Sequence, residues 1–354
     1  MLTIGNYAPD DQRSMQRYAE LVQSGMTEAG ITSKLWLPPI WFGHLSATSN
    51  RAFKWLAYVD KLLVAPLVLL IIQWRYSRVH ICDHSNAYYA FAIWGRQCTV
   101  TCHDVIAIQA AQGLVPGWKV GSSGRALQWL ISCGLGAVDK VYCASAFTRT
   151  ELLALQLASP QRTAVALHAV DPLITAGLKA PAASPAGQRY FMHVGSDLPR
   201  KNRRFVIDMF GKLVKQPAFA DCALIFIGPA PSAEQQAQLE ARGLAGRTTF
   251  IQKLTNAELA QAYAGAVALL FPSKQEGFGW PVAEAQACGC PVFASALDPM
   301  MEVGGTAARY FDPDDPDAAA AIVASAPLAQ MRIEGRGNSG RFTLPQMIQQ
   351  LMTP

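Results

Sequence analysis

Glu276-Gly277-Phe278-Gly279-Trp280-Pro281-Val282-Ala283-Glu284-Ala285-Gln286-Ala287-Cys288-Gly289 is the stretch that decides the fold. It joins an acidic residue, a Gly-aromatic-Gly turn, a proline suited to the first turn of a helix, and a second acidic residue in that helix's first turns. Such a set describes a ligand site at a helix N-terminus, where unbonded N–H groups and the macrodipole favour an anion. Just upstream, Val267-Ala268-Leu269-Leu270-Phe271-Pro272 reads as a buried strand. Strand, glycine-bearing loop and helix follow one another as they do where a parallel α/β sheet holds a nucleotide or phosphate.

An earlier segment has the same form. Tyr190-Phe191-Met192-His193-Val194-Gly195 reads as a strand, and Ser196-Asp197-Leu198-Pro199-Arg200-Lys201-Asn202 as the loop that leaves it. Arg200 and Lys201 suit a diphosphate, because a guanidinium clamps two oxygens while an ammonium acts as a point charge. Cations are disfavoured at the positive end of a helix, which is a further reason to expect an anion beside them.

In this order and spacing the two segments resemble the family 4 retaining glycosyltransferases, in particular their mannosyltransferase-like members. The shared motifs are Gly-x5-Lys-Asn, here Gly195 to Asn202, and Glu-x7-Glu, here Glu276 to Glu284. The resemblance implies an α/β GT-B fold, two Rossmann-like doubly wound domains facing across a cleft, and a nucleotide-diphosphate sugar as co-substrate. It also implies a donor site of Gly195, Ser196, Asn202, Gly277, Phe278, Gly279, Val282 and Glu284. Glu284 would accept hydrogen bonds from the ribose hydroxyls and Glu276 would face the transferred sugar. Arg200 and Lys201 would stabilise the charge left on the departing β-phosphate.

In the first half, Val100-Thr101-Cys102-His103-Asp104-Val105 ends a strand with a His-Asp pair. By the same resemblance His103 lies near the donor sugar, with Asp104 beside it on the acceptor side. The Gly-Gly loop that many members carry after the first strand is replaced by Asn6-Tyr7-Ala8-Pro9-Asp10-Asp11-Gln12-Arg13-Ser14. Gln12, Arg13 and Ser14 are the candidates to take over its acceptor contacts.

Rival chemistries fit less well. Two carboxylates suggest a glycoside hydrolase pair, but here one sits in a loop and the other on a helix beside a phosphate-type site. His80-Ile81-Cys82-Asp83-His84 is a poor metal set on a strand, and Asp312-Pro313-Asp314 reads as a loop before a helix. We therefore expect no metal and no cofactor. A nucleotide-sugar isomerase of the same fold, or a silent sugar-nucleotide binder, would share the donor motifs.

The chain's 354 residues, 51% of them hydrophobic, allow two cores. Ala180 to Gly187, rich in alanine and proline, is the expected linker. It divides an acceptor domain, 1–185, from a donor domain, 186–340, with a helix in 341–354 expected to cross back to the first. Met1 to Pro185 holds 15 Lys and Arg against 10 Asp and Glu, and the remainder 15 against 15. That excess suits an anionic membrane or phosphate-bearing acceptor, or is an ordinary solvated face. Nucleic acid is excluded for want of a basic helix or aromatic platform. Eight cysteines without a CxxC pair indicate reduced thiols, and the N-terminus reads as a strand and not a leader, so the expected place is the cytoplasm. Leu62 to Trp74 is apolar, contains Pro66, and has Arg51, Lys54, Lys61, Arg75 and Arg78 around it. As a stretch it is too short to span a bilayer, which leaves a buried core helix or a helix in the membrane interface.

Overall fold

The computed structural model describes residues 1–43, 50–179 and 187–353. The expected linker lies outside these residues except for Gly187. Two compact units are present, Met1–Leu167 with Pro345–Pro354, and His168–Leu344. This boundary precedes the expected Pro185 because the segment after His168 is bonded into the second unit. There Asp171 accepts from the Asn256 amide at 2.9 Å, and the Trp280 indole donates to the Ala169 carbonyl at 3.2 Å.

The first unit is a parallel sheet of β1 (Leu2–Ile4), β2 (Lys34–Trp36), β3 (Arg78–Ile81), β4 (Gln97–Cys102), β5 (Lys140–Cys143) and β6 (Thr163–Val165). The strands lie in the order β2-β1-β3-β4-β5-β6. Leu2, Ile4, Val79, Ile81, Val100 and Val141 are wholly buried, as strands covered on both faces require. Its helices are α1 (Arg13–Glu28), α2 (Asn50–Val59), α3 (Ala65–Ile72), α4 (Ile106–Ala111), α5 (Ser122–Ala137) and α6 (Ala146–Ala154). A widened π turn, Asp60–Val64, joins α2 to α3. Pro66 explains it: without an N–H, and with its ring against the preceding turn, it opens the normal ladder at Leu62. Ser145 caps α6, its side chain accepting from the Thr148 amide at 3.0 Å.

The second unit has β7 (Tyr190–Val194), β8 (Ala223–Ile227), β9 (Thr248–Ile251), β10 (Ala268–Phe271), β11 (Val292–Ser295) and β12 (Arg309–Phe311). All pair in parallel, in the order β12-β11-β10-β7-β8-β9. Its helices run from α7 (Pro172–Ala176) through α8 (Arg203–Leu213), α9 (Ala233–Ala241), α10 (Asn256–Gly265), α11 (Trp280–Ala287), α12 (Met300–Gly304) and α13 (Pro316–Ser325) to α14 (Leu328–Ser339). The Thr255–Glu258 capping box before α10 is formed in both directions. The last helix, α15 (Leu344–Met352), belongs to the first unit from Pro345 onward. It is fixed there by Gln350, which accepts from the Leu167 amide at 3.0 Å, and by Tyr142, which donates to the Thr353 carbonyl at 2.8 Å.

Strand order reverses between β7 and β10 in the second unit and between β1 and β3 in the first. At such a reversal the connecting helices leave to opposite faces and open a crevice at the strands' carboxyl ends. Each unit therefore has one built-in place for a ligand.

Candidate donor and acceptor sites

In the second unit the loops leaving β7 and β10 meet at the reversal. The Lys274 amide donates to the Arg200 carbonyl at 2.8 Å, joining loop to loop. The Arg200 guanidinium donates to the Gln275 carbonyl at 2.8 Å and to Glu276 Oε2 at 3.1 Å. On the other oxygen, Glu276 Oε1 accepts from Lys201 Nζ at 2.5 Å and from Ser273 Oγ at 2.7 Å. Glu276 is buried. Burial alone would raise its pKa, but Lys201, Arg200 and the hydrogen bonds outweigh it and hold the carboxyl below its ordinary value. Two cations around one carboxylate leave the pocket net positive, which suits a diphosphate.

Asn202 turns the chain into α8 with φ 54°, in the left-handed region, and its side chain donates to the Pro313 carbonyl at 2.9 Å. The Asn202 side chain is thus engaged with the loop before α13, the Asp312–Asp314 segment. Asp314 pairs with Lys274, and Asp315 caps α13, so that segment is the start of a helix. Gly279 caps α11 at φ 94° with Pro281 in the first turn, as the sequence indicates. Phe278 packs against His168 and Phe342, with ring centroids 5.0 Å and 5.7 Å away, and Val282 is buried beneath the turn. This leaves the glycine-flanked backbone as the part of the turn able to approach a ligand. Glu284 is the fifth residue of α11, and its Oε2 accepts from the Tyr263 hydroxyl of α10 at 3.2 Å.

Sequence reasoning does not single out Arg203, the first residue of α8. Its buried guanidinium donates to the Gly195 carbonyl at 2.8 Å and the Pro229 carbonyl at 2.9 Å, above the ring of Phe226. Gly195 also donates its N–H to the Ile227 carbonyl at 3.0 Å. The first turn of the Gly195–Asn202 loop is thereby fixed from two sides. A third cation after Arg200 and Lys201 was the available signal; only the fold separates the buried Arg203 from exposed Arg204.

In the first unit the reversal brings together Asn6 after β1 and Asp83 after β3. Asp83 accepts from Asn6 Nδ2 at 2.6 Å, from the Ser85 amide at 2.9 Å and from Ser85 Oγ at 2.7 Å. His103, after β4, is buried and donates from Nε2 to the Cys82 carbonyl at 2.8 Å. A carbonyl only accepts, so Nε2 carries the proton and Nδ1 is the acceptor side of the ring. Burial lowers the His103 pKa despite nearby Asp83, which keeps the imidazole neutral. Asp104, just before α4, accepts from the Ile106 amide at 3.0 Å. Of the acceptor candidates, Gln12 reaches this network through Asn6 at 2.5 Å. Arg13 pairs with Asp11 in solvent, and Ser14 is exposed. His80 points away from the cluster, between Thr99 and Thr101 at 2.9 Å and 3.0 Å. Among the described residues no three His, Cys, Asp or Glu side chains are grouped to hold a metal.

Comparison with known proteins agrees with this geometry. Residues 177–330 match the family model of glycosyl transferases group 1. O-antigen chain mannosyltransferase B of Escherichia coli is 33% identical over 39% of this chain, and the match spans only 36% of that protein's length. Sucrose-phosphate synthase of Thermosynechococcus elongatus superposes with a TM-score of 0.72 over 99% of this chain and 96% of its own, at 16% identity. HepE of Anabaena, solved in complex with UDP and glucose, gives 0.64 over 93% and 87%, also at 16% identity. At such identities the two structures speak for the fold alone. Residues 177–330 are thus similar to the group 1 glycosyl transferases, and the chain is built on the two Rossmann-like units of the GT-B fold.

Proposed function

We propose that this protein is a retaining glycosyltransferase. It moves a hexose from a nucleotide-diphosphate sugar, with GDP or UDP as the nucleotide, to a glycan or lipid-linked acceptor in glycoconjugate biosynthesis at the cytoplasmic face of a membrane. The observation that carries this reading is the pairing of Arg200 and Lys201 around Glu276 at the β7/β10 reversal. In this reading the β-phosphate lies against the two cations, which stabilise it as the glycosidic bond to the diphosphate breaks. Glu276, held ionised, faces the sugar. Its lowered pKa makes it a poor general acid. His103, neutral and oriented by the Cys82 carbonyl, contributes from the acceptor unit.

A panel of nucleotide sugars with product analysis tests the reading: release of nucleoside diphosphate with a new glycosidic linkage is expected. Conversion of donor without an acceptor would instead identify an isomerase, and affinity without turnover a binder. Two further outcomes follow. Transfer should persist in EDTA, because Arg200, Lys201 and the loop amides supply the positive field; activity lost in EDTA and restored by manganese or magnesium would refute this. The product should keep the donor's anomeric configuration, with acceptor attack on the face the diphosphate leaves, and an inverted linkage by NMR would rule that out.

A further inference from the structure

The apolar stretch Leu62 to Trp74 is neither a core helix nor as short as its sequence implies. It belongs to a helical run, Trp55–Arg75, of 21 residues, long and apolar enough to cross a membrane by length and composition alone. One side of the run is bound to the first unit. Ala65, Leu69 and Gln73 are wholly buried, and the Gln73 side chain donates to the Ala92 carbonyl at 2.8 Å and accepts from the Trp94 amide at 2.7 Å. At its start, buried Asp60 accepts from the Tyr7 hydroxyl at 2.8 Å and from the Gly43 amide at 2.9 Å. A spanning helix would have to abandon all of these contacts. The run is therefore held flat on the unit.

Its other side faces outward. Leu63, Leu67, Ile71 and Trp74 are exposed by 61%, 62%, 75% and 58%, and their spacing puts them on one stripe of the helix. Beside the stripe runs a groove of about 270 Å³, lined by Leu62, Pro66, Leu70, Phe91 and Trp94 among others, of which Phe91 and Trp94 are themselves exposed. An exposed apolar surface of this extent marks a contact with something.

Charge identifies the partner. No Asp or Glu occurs from Lys61 to Cys82, from His84 to His103, or from Val105 to Val138. The segments that form this face therefore carry cations only: Lys61, which is paired with Asp10, then Arg75, Arg78 and Arg96, the last stacked 5.0 Å from the Trp74 ring. A two-fold dimer through this face would set the same cations against each other. An anionic bilayer meets them with opposite charge. It also offers acyl chains to the leucines and an interfacial layer to the tryptophans.

We propose that this face, the Leu63–Trp74 stripe with its adjoining groove, lies in the interface of an anionic phospholipid bilayer, with the helix parallel to the membrane plane. This deepens the reading of a lipid-linked acceptor given above. The test uses the folded full-length protein without donor, so its failure would leave the transferase reading intact.

Co-sedimentation with vesicles of equal parts phosphatidylglycerol and phosphatidylcholine, against phosphatidylcholine alone, is the measurement. The protein should enrich on the anionic vesicles and be released as salt rises. The double variant Leu67→Asp/Ile71→Asp, at exposed positions that leave the fold's circular dichroism unchanged, should bind at least ~100-fold more weakly. Arg75→Gln with Arg96→Gln should weaken binding about tenfold. Absence of enrichment by the wild-type chain, or binding unaffected by the double variant, would overturn the proposal. So would a dimer in light scattering that the double variant dissociates.

Discussion

Lys201→Ala is expected to lower kcat about 100-fold while changing donor KM far less, and Arg200→Ala to behave alike. The physical reason is the timing of charge. On the proposed reading, a bound diphosphate would already be anionic in the ground state. As the sugar departs, further charge would collect on the β-phosphate oxygen, and a fixed ammonium beside it would be worth most at that moment. Lys201 and Arg200 are held in place by Glu276 and, for Arg200, by the Gln275 carbonyl, so they would need little reorganisation during such a reaction. Removing Lys201 also leaves Glu276 buried with one cation fewer, a structural cost that must be separated from catalysis. Thermal melting of each variant, and Lys201→Arg as a charge-preserving companion, make that separation. Normal turnover in both alanine variants would end the assignment.

The fold was legible where buried parallel strands leave continuous apolar runs. Tyr190–Val194 and Ala268–Phe271 fall within the two apolar runs that the sequence marks as strands, each ended by a glycine or proline. Strand β12, Arg309–Phe311, escapes the same reading: three residues at a sheet edge, with only Phe311 fully inside, leave no pattern. The linker was read from composition, yet the units divide earlier, because Asp171 and Ala169 are bonded into the second unit by residues 85 and 111 positions away in sequence.

The two loops of the candidate donor site were legible because each is local in sequence. What sequence spacing could not supply was the direction of side chains. Glu284 turns to Tyr263, Asn202 to Pro313, and Asp104 to the start of α4, each meeting a partner that only the fold brings near. The first-unit cluster was hidden for the same reason. Asn6 and Asp83 lie on strands distant in sequence, and the order β1-β3 makes them neighbours.

Gly228→Ala is expected to be the most damaging single-methyl change near the donor site. Gly228 follows β8 with φ 145°, a conformation that side-chain-bearing residues rarely adopt. An added Cβ would lie 2.2 Å from the Gly195 carbonyl oxygen and 2.7 Å from the Arg203 guanidinium. Neither neighbour can yield cheaply. Gly195 is backbone tied to Ile227 and to Arg203, and Arg203 is a buried cation that also donates to the Pro229 carbonyl and lies 3.9 Å from the Asp197 carboxylate. Relief requires the loop from Gly195 to Asn202 to move, and it carries Arg200 and Lys201 with it. Backbone strain and overpacking together should cost about 2–4 kcal/mol in denaturant unfolding, and donor KM should rise at least ~10-fold, since phosphate clamps tolerate little misplacement. Gly246→Ala, in a turn where a Cβ meets nothing within 4 Å, is the control and should stay within about 0.5 kcal/mol of wild type. If Gly228→Ala matches that control in both stability and donor KM, the loop is not held through Gly195 and Arg203 as described.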